Sequence, residues 1–371
     1  MLTLEHGPIK VKHSERFLKW AEGYGGIALV PEGDLRRHLH AVVESVLAFH
    51  ATMFERQIPG VFVETAILAC DGVGGSCLEL EPGRFFLGIF SGLINKLAAA
   101  LASAELLCIA PDWAGKPGSD LGRVISRSIE ADAEFRALAW LITRHEFVHL
   151  RFGHVGWLNS CVVHDENGSR IVGVTPLDRQ TLEMDADSNA TFDVAGDFLG
   201  LERISPTQFT LTEHGPYARE RLLTRARVLG AAIYTHFRIL EEESRVRWLP
   251  GMEQTNSRHP PTLVRFAITQ SSVGTLALGL KPPQPGLVDD VLNSFIHGAV
   301  DRERFISATR GEEPVYSILA ASCSKAVWRY QGHLIEHWRG LRRKLEPFVV
   351  GGFNLAPAQD WPDPPDDFCD P

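Results

Sequence analysis

Apolar residues recur at helical spacing over most of this chain. Over 34–56, Leu35, Leu39, Val42, Val46 and Met53 fall on one stripe, which predicts an amphipathic helix. The pattern then changes to short β-rich runs. Residues 61–70, 77–81 and 84–90 are apolar and β-branched, and they are separated by Asp71-Gly72-Val73-Gly74-Gly75 and Pro82-Gly83 turns, which predicts a small antiparallel sheet. Ser91-Gly92-Leu93 opens a helix to about 107, and a further helix is expected over 129–152, where Leu138, Ile142, His145 and His149 share a face. Residues 160–175 read as a loop or hairpin around Asp165-Glu166-Asn167-Gly168. Helices follow over 177–195, 216–245 (with Pro216 near its first turn), 260–271, 287–300 and 316–345.

The expected fold class is α+β, mainly helical, with one domain over 1–352: a core at about 60–270 and a helical part at 271–352. The Pro- and Asp-rich residues 353–371 are expected to form a disordered acidic tail.

An apolar fraction of 44% suits a chain with a real core. The net charge of −9 and the absence of a long basic run argue against nucleic acid as the main partner. The short cluster Arg339–Lys344 suits a helix C-terminus, where cations complement the dipole. Six cysteines are scattered without a C-x-x-C pair, so a cysteine zinc site is not expected and reduced thiols are. The N-terminus has no signal pattern, and no segment has the roughly 20 apolar residues of a spanning helix. A soluble, cytoplasmic protein is expected.

The chemistry is concentrated in His145-Glu146-Phe147-Val148-His149, an H-E-x-x-H on a helix. Positions i and i+4 face the same way, so both imidazoles can reach one zinc ion, with Glu146 beside them as a base for the attacking water. A catalytic zinc takes three protein ligands and leaves one position open. A third His in the register H-E-x-x-H-x-x-G-x-x-H is missing, because Gly153 stands one place late and His154 one place early. Downstream, Glu183 and Asp187 in Thr181-Leu182-Glu183-Met184-Asp185-Ala186-Asp187 are again i and i+4. Glu183 can supply the third ligand. Asp187 can accept a hydrogen bond from the free ring nitrogen of a ligating His.

The two helices together, H-E-x-x-H and E-x-x-A-D, resemble the gluzincins related to the CAAX prenyl endopeptidases, the heat-shock protease HtpX and their soluble bacterial relatives. His154, five residues after His149, the segment Arg84–Ile94 and the segment Arg258-His259-Pro260-Pro261-Thr262-Leu263-Val264-Arg265 are similar to pieces of that family. The resemblance covers about 60–270. It departs at Val148, where the family usually has Gly, in the absence of membrane helices, and in the last hundred residues. A looser resemblance runs to the Lit-type phage-exclusion proteases, which carry H-E-F-x-H. The resemblance implies a zincin-like fold with one zinc on His145, His149 and Glu183, and Glu146 as general base. It also implies His259 and Arg265 as oxyanion stabilisers and a protein or peptide substrate. For His259, a His at a Pro-Pro helix start stays open, and for Arg265 a structural ion pair. The strand at 84–90 is either a core strand or an edge that pairs with an extended substrate.

Other groups are weighed against these. His333-Leu334-Ile335-Glu336-His337 is an inverted zinc motif with only Glu346 downstream, and its setting suggests an amphipathic surface helix. His164 is an alternative ligand, and Tyr217 and Tyr234 are alternative oxyanion donors. Two other readings of the whole chain remain: an inactive zinc-site protein acting as a binding or sensing module, and a helical interaction protein with a chance motif.

Overall fold

The structure, a computed structural model, describes residues 13–32, 34–106, 120–165, 168–244, 257–284, 286–314, 324–357 and 360–365. It is mainly helical with small sheets, an α+β fold. In chain order the helices are α1 (Glu15–Glu22), α2 (Asp34–Gln57), α3 (Ser91–Leu106), α4 (Asp120–Arg151), α5 (His154–Ser160), α6 (Pro176–Leu199), α7 (Ala218–Ser244), α8 (Thr262–Leu278), α9 (Leu287–Arg310) and α10 (Lys325–Leu345). The strands are β1 (Phe62–Leu68), β2 (Gly75–Glu81), β3 (Arg84–Phe90), the hairpin β4 (Val162–Asp165) and β5 (Gly168–Ile171), and the hairpin β6 (Leu201–Ser205) and β7 (Gln208–Leu211). Residues 316–323 of the helix expected over 316–345, with 107–119 and 245–256, lie outside the described residues.

The three-stranded sheet corrects one expectation. Its order is β1-β3-β2, with β1 parallel to β3 and only β2 antiparallel to it, so the sheet is mixed. Strand alternation explains its two covered faces. Phe85, Leu87 and Ile89 point into the main core, while Phe86 points to the other face, where Phe17 and Trp20 of α1 pack on it. β3 is therefore a fully covered central strand whose two edges are both taken, which removes it as a partner for an extended substrate. The edge strands are β1, bridged at one end by Ile27 to Leu68, and β2.

Helix packing places the site. The core cluster runs through α2, α4, α6, α7, α8, α9 and α10. On α4, Phe135, Leu138 and Val148 are fully buried. Burying such side chains is worth about 1.5–3 kcal/mol each, so α4 is anchored over 135–148. α7 and α9 approach closely because Gly230 and Gly298 stand at the crossing, where a Cβ would strike the backbone oxygen of Phe295 or Arg227. α6 begins with a capping box: the Thr175 hydroxyl accepts from Asp178 N, and Asp178 accepts from Thr175 N at 2.7 Å, with Pro176 in the first turn. It ends at Gly200, whose φ of 73° is the left-handed cap that favours glycine.

The segment expected as a disordered tail is ordered where described. Leu355 is buried, and the Trp338 indole donates to Ala356 O at 3.1 Å. Trp361 packs on Trp328 with ring centroids 4.4 Å apart, and each indole N–H finds a carbonyl: Trp361 on Trp328 O at 3.0 Å, Trp328 on Pro362 O at 2.8 Å. Asp360 pairs with Arg339. Composition pointed to disorder, but three indoles and one leucine supply apolar anchors with satisfied polar tips.

Candidate metal centre

α4 and α6 lie side by side and bring the two i, i+4 pairs together. His145, His149 and Glu183 each offer one ligand atom, and these atoms all lie within 4.8 Å of one another, so the group could hold a metal ion. Nε2 of His145 lies 3.4 Å from Glu183 Oε2, Nε2 of His149 lies 3.6 Å from Glu183 Oε1, and the two Nε2 atoms are 3.1 Å apart. Two imidazole nitrogens and a carboxylate converging on one point fit the donor set of a zinc site with an open position.

The second nitrogens are also engaged. His145 Nδ1 lies 3.0 Å from Asp187 Oδ1. His149 Nδ1 lies 2.9 Å from Nδ1 of His154, the first residue of α5. His154, which is fully buried, has its Nε2 3.2 Å from Asp185 Oδ2, close enough for a charge pair but without hydrogen-bond geometry, and neither atom has a hydrogen-bond partner among the described residues. With Nε2 of both ligand histidines facing the metal position, their protons sit on Nδ1. His145 then donates to Asp187, and His149 donates to His154, whose own proton sits on Nε2 toward Asp185. Asp187 of α6 thus orients His145, and His154 orients His149.

The electrostatics follow from burial and close charge. Burial lowers the His145 imidazole, but hydrogen bonds and charge from Asp187 and Glu183 outweigh it and carry it up to about 10. Burial holds His149 well below its usual range. Burial opposes ionisation of Glu183, yet His259 and His145 keep it well below the carboxylate range. Burial likewise opposes Asp187, and the Arg265 guanidinium brings it down to about 2. Burial pushes Glu146 up to about 7.

Glu146 stands over the edge strand β2. A Cβ on Gly75 would meet Glu146 Oε1 at 2.7 Å, so the absence of a side chain there gives the carboxylate its place. Cys77, on the same face of β2, hydrogen-bonds Glu146, and burial together with that carboxylate raises its thiol.

His259 sits on the loop ahead of α8, its Nδ1 3.1 Å from Glu183 Oε2 and its side chain 57% exposed. The loop is held by Ser257, whose hydroxyl donates to His259 O at 2.8 Å and whose carbonyl accepts from Gln180 Nε2 at 2.9 Å. Arg265 is elsewhere engaged: buried, it gives Nε at 2.6 Å and Nη2 at 2.8 Å to the two oxygens of Asp187. It lies 3.6 Å from Glu183. That is the ion-pair alternative, with Arg265 fixing Asp187.

The other candidates lie away from the centre. The Tyr234 hydroxyl is buried and donates to Glu303 at 2.5 Å, and Tyr217 is exposed on the approach to α7. His164, on β4, bonds Ser169 Oγ at 2.7 Å. In the inverted motif His333 and Glu336 are exposed, and His337 pairs with Asp178 at 3.0 Å. Sequence reasoning missed Gly75, Cys77, the His154–Asp185 pair and His236 of α7. Burial lowers His236 to about 3, and Arg265, Asp187 and His145 are the charges acting on it. Among the described residues no helix is long and apolar enough to cross a membrane. Comparison with protein-family models, curated proteins and solved structures finds no match.

Proposed function

We propose that this chain is a zinc-dependent endopeptidase acting on a protein or peptide. The observation that carries the reading is the convergence of His145, His149 and Glu183 with Glu146, a residue that binding a metal does not require, turned to the same centre. A zinc ion held by the three ligands would supply Lewis acidity and bring the pKa of water to about 7.

The remaining steps belong to the side chains. Glu146 accepts the proton of the attacking water and later delivers it to the leaving amine. His259, exposed at the rim, is the side chain available to donate to the developing oxyanion. Asp187 holds His145 in place, and Arg265 is its buried counter-charge. Gly75 and Cys77 place one end of the β2 edge against Glu146, so an extended peptide added there would pass the base, while at the other end the Glu79 carbonyl already accepts from Asn159 Nδ2 at 2.8 Å. Cys70, Cys77 and Cys161 are free thiols, which suits a cytoplasmic setting.

The test uses protein purified without chelator or metal-affinity tag. Elemental analysis should find about one zinc per chain, sharply reduced in Glu183→Ala. Glu146→Gln should keep its zinc and lose about 10²–10⁴-fold in hydrolysis of a peptide library. Unchanged hydrolysis in Glu146→Gln refutes the mechanism. Wild-type protein without metal refutes the zinc site.

A further inference from the structure

α4 presents a second built face. Away from the metal ligands, Trp140, Arg144, Phe147 and Arg151 of α4, with Phe49 and His50 of α2, border a cavity of about 190 Å³. A cavity of roughly 150 Å³ accepts a benzene ring, so this one has room for a ring-sized molecule. One side is aromatic: Trp140 lies 5.5 Å from Phe49 and 5.0 Å from His50 between ring centroids.

The other side is made of donors. His50 is 2% exposed, and burial together with Arg144 lowers it to about 3, so it is neutral. Its Nδ1 faces Arg144 Nη1 at 3.5 Å, and a guanidinium can only donate, so the ring proton sits on Nε2. That Nε2 is buried without a hydrogen-bond partner, as are Nε of Arg144 and Nε of Arg151. Arg151 is held between Phe152 and Phe353, 4.6 and 5.0 Å from their ring centres. Arg144, Arg151 and Arg203 share Asp193 at 3.4, 3.2 and 3.8 Å, and Asp197 is the carboxylate that lines the cavity beside Arg144 and Arg151. Buried donors in native proteins are nearly always satisfied, and here His50 Nε2 and Arg151 Nε, on two residues that border the cavity, have no acceptor, while Arg144 Nε has only Asp193 at 3.4 Å.

We propose that this cavity binds a small organic anion, a flat apolar body carrying one carboxylate. The ring lies against Trp140 and Phe49, and the carboxylate accepts from His50 Nε2 and the arginines. The site uses neither the metal ligands nor Glu146, so it is independent of the peptidase reading.

The probe is 4-fluorobenzoate, titrated into the full chain with and without zinc and followed by ¹⁹F NMR. Saturable binding in both states is expected, with 4-fluorobenzyl alcohol at least tenfold weaker because it lacks the charge. His50→Phe, which keeps the ring and removes the donor, should weaken 4-fluorobenzoate at least tenfold, and Met53→Trp, which fills the cavity, should abolish binding. No saturable binding, equal binding of the alcohol, or binding indifferent to Met53→Trp overturns the proposal. The comparison of acid with alcohol is made on the wild type and does not depend on any variant folding.

Discussion

Asp187→Asn separates orientation of a ligand from simple stability. Asp187 accepts from His145 Nδ1 at 3.0 Å and from Arg265 at 2.6 and 2.8 Å, and it is 5% exposed. The amide keeps one acceptor of the right shape but loses the charge. Loss of such an outer partner costs about 10–100-fold in metal affinity, or about 1.4–2.7 kcal/mol. Arg265 loses its buried counter-charge, and breaking a buried pair costs about 3–5 kcal/mol. Glu183, 3.6 Å from Arg265, and the remaining amide oxygen put the expected loss at the lower end, about 3 kcal/mol. Zinc affinity is read by competition with a chromophoric chelator, and stability by denaturation of the metal-free protein. Arg265→Met provides the contrast: it removes the same ion pair but leaves Asp187 on His145. Stability should fall comparably, while zinc affinity stays within about threefold of wild type, well short of the second-shell range. Zinc binding by Asp187→Asn within threefold of wild type, or an equal loss in Arg265→Met, would refute the orienting role.

His154→Leu removes the acceptor of His149 Nδ1 and strands Asp185. Zinc affinity should fall about tenfold and stability by about 1–3 kcal/mol, measured by the same two assays, and unchanged affinity would sink the relay. Asp178→Asn tests the start of α6. Burial opposes the Asp178 charge, but Thr175, His337 and Lys344 keep its pKa below the usual range. A depressed carboxylate stabilises the fold above its unfolded pKa, about 3.9, and the benefit is lost as pH falls through the lower folded value. Metal-free wild type should therefore exceed Asp178→Asn by about 1 kcal/mol at pH 7. The gap should close below about pH 3.9, as read by denaturation at each pH, and a gap constant with pH would be the contrary result.

Local periodicity made much of this legible. The helices over 34–57, 91–106, 176–199 and 287–310 start where the apolar stripe or a cap signal begins. The two i, i+4 pairs that supply the candidate ligands His145, His149 and Glu183 were readable for the same reason, since i and i+4 is a relation within one helix. The rest depends on contacts between distant segments. Nothing local distinguishes a parallel β1–β3 pair from an antiparallel one. α1 buries only Phe17 and Ala21, too few positions to set a period. β6 and β7 carry Glu202, Arg203 and Thr210 and show almost no alternation. Gly75, Cys77, His154, Asp185 and His236 join the centre only through tertiary packing. His154 alone carried a signal, its place five residues after His149, and its partner Asp185 carried none.

Three of the four carboxylates at the centre, Glu183, Asp185 and Asp187, come from one stretch of α6, while Glu146 and both candidate ligand imidazoles come from α4. The register of α6 against α4 therefore sets the third ligand and the Asp187 contact at once, and a slip of one residue would undo both. That register is braced from the C-terminal helix. Asp178, the cap of α6, is held by His337 at 3.0 Å and Lys344 at 3.7 Å, and Gln180 accepts from Tyr330 at 2.6 Å, all three partners on α10. Gln180 in turn holds the Ser257 carbonyl beside His259. The inverted zinc motif thus lends one of its histidines to the architecture of the other centre. α10 reaches both the third ligand and the rim histidine through residues that touch neither, so the C-terminal helix belongs to the machinery of the site.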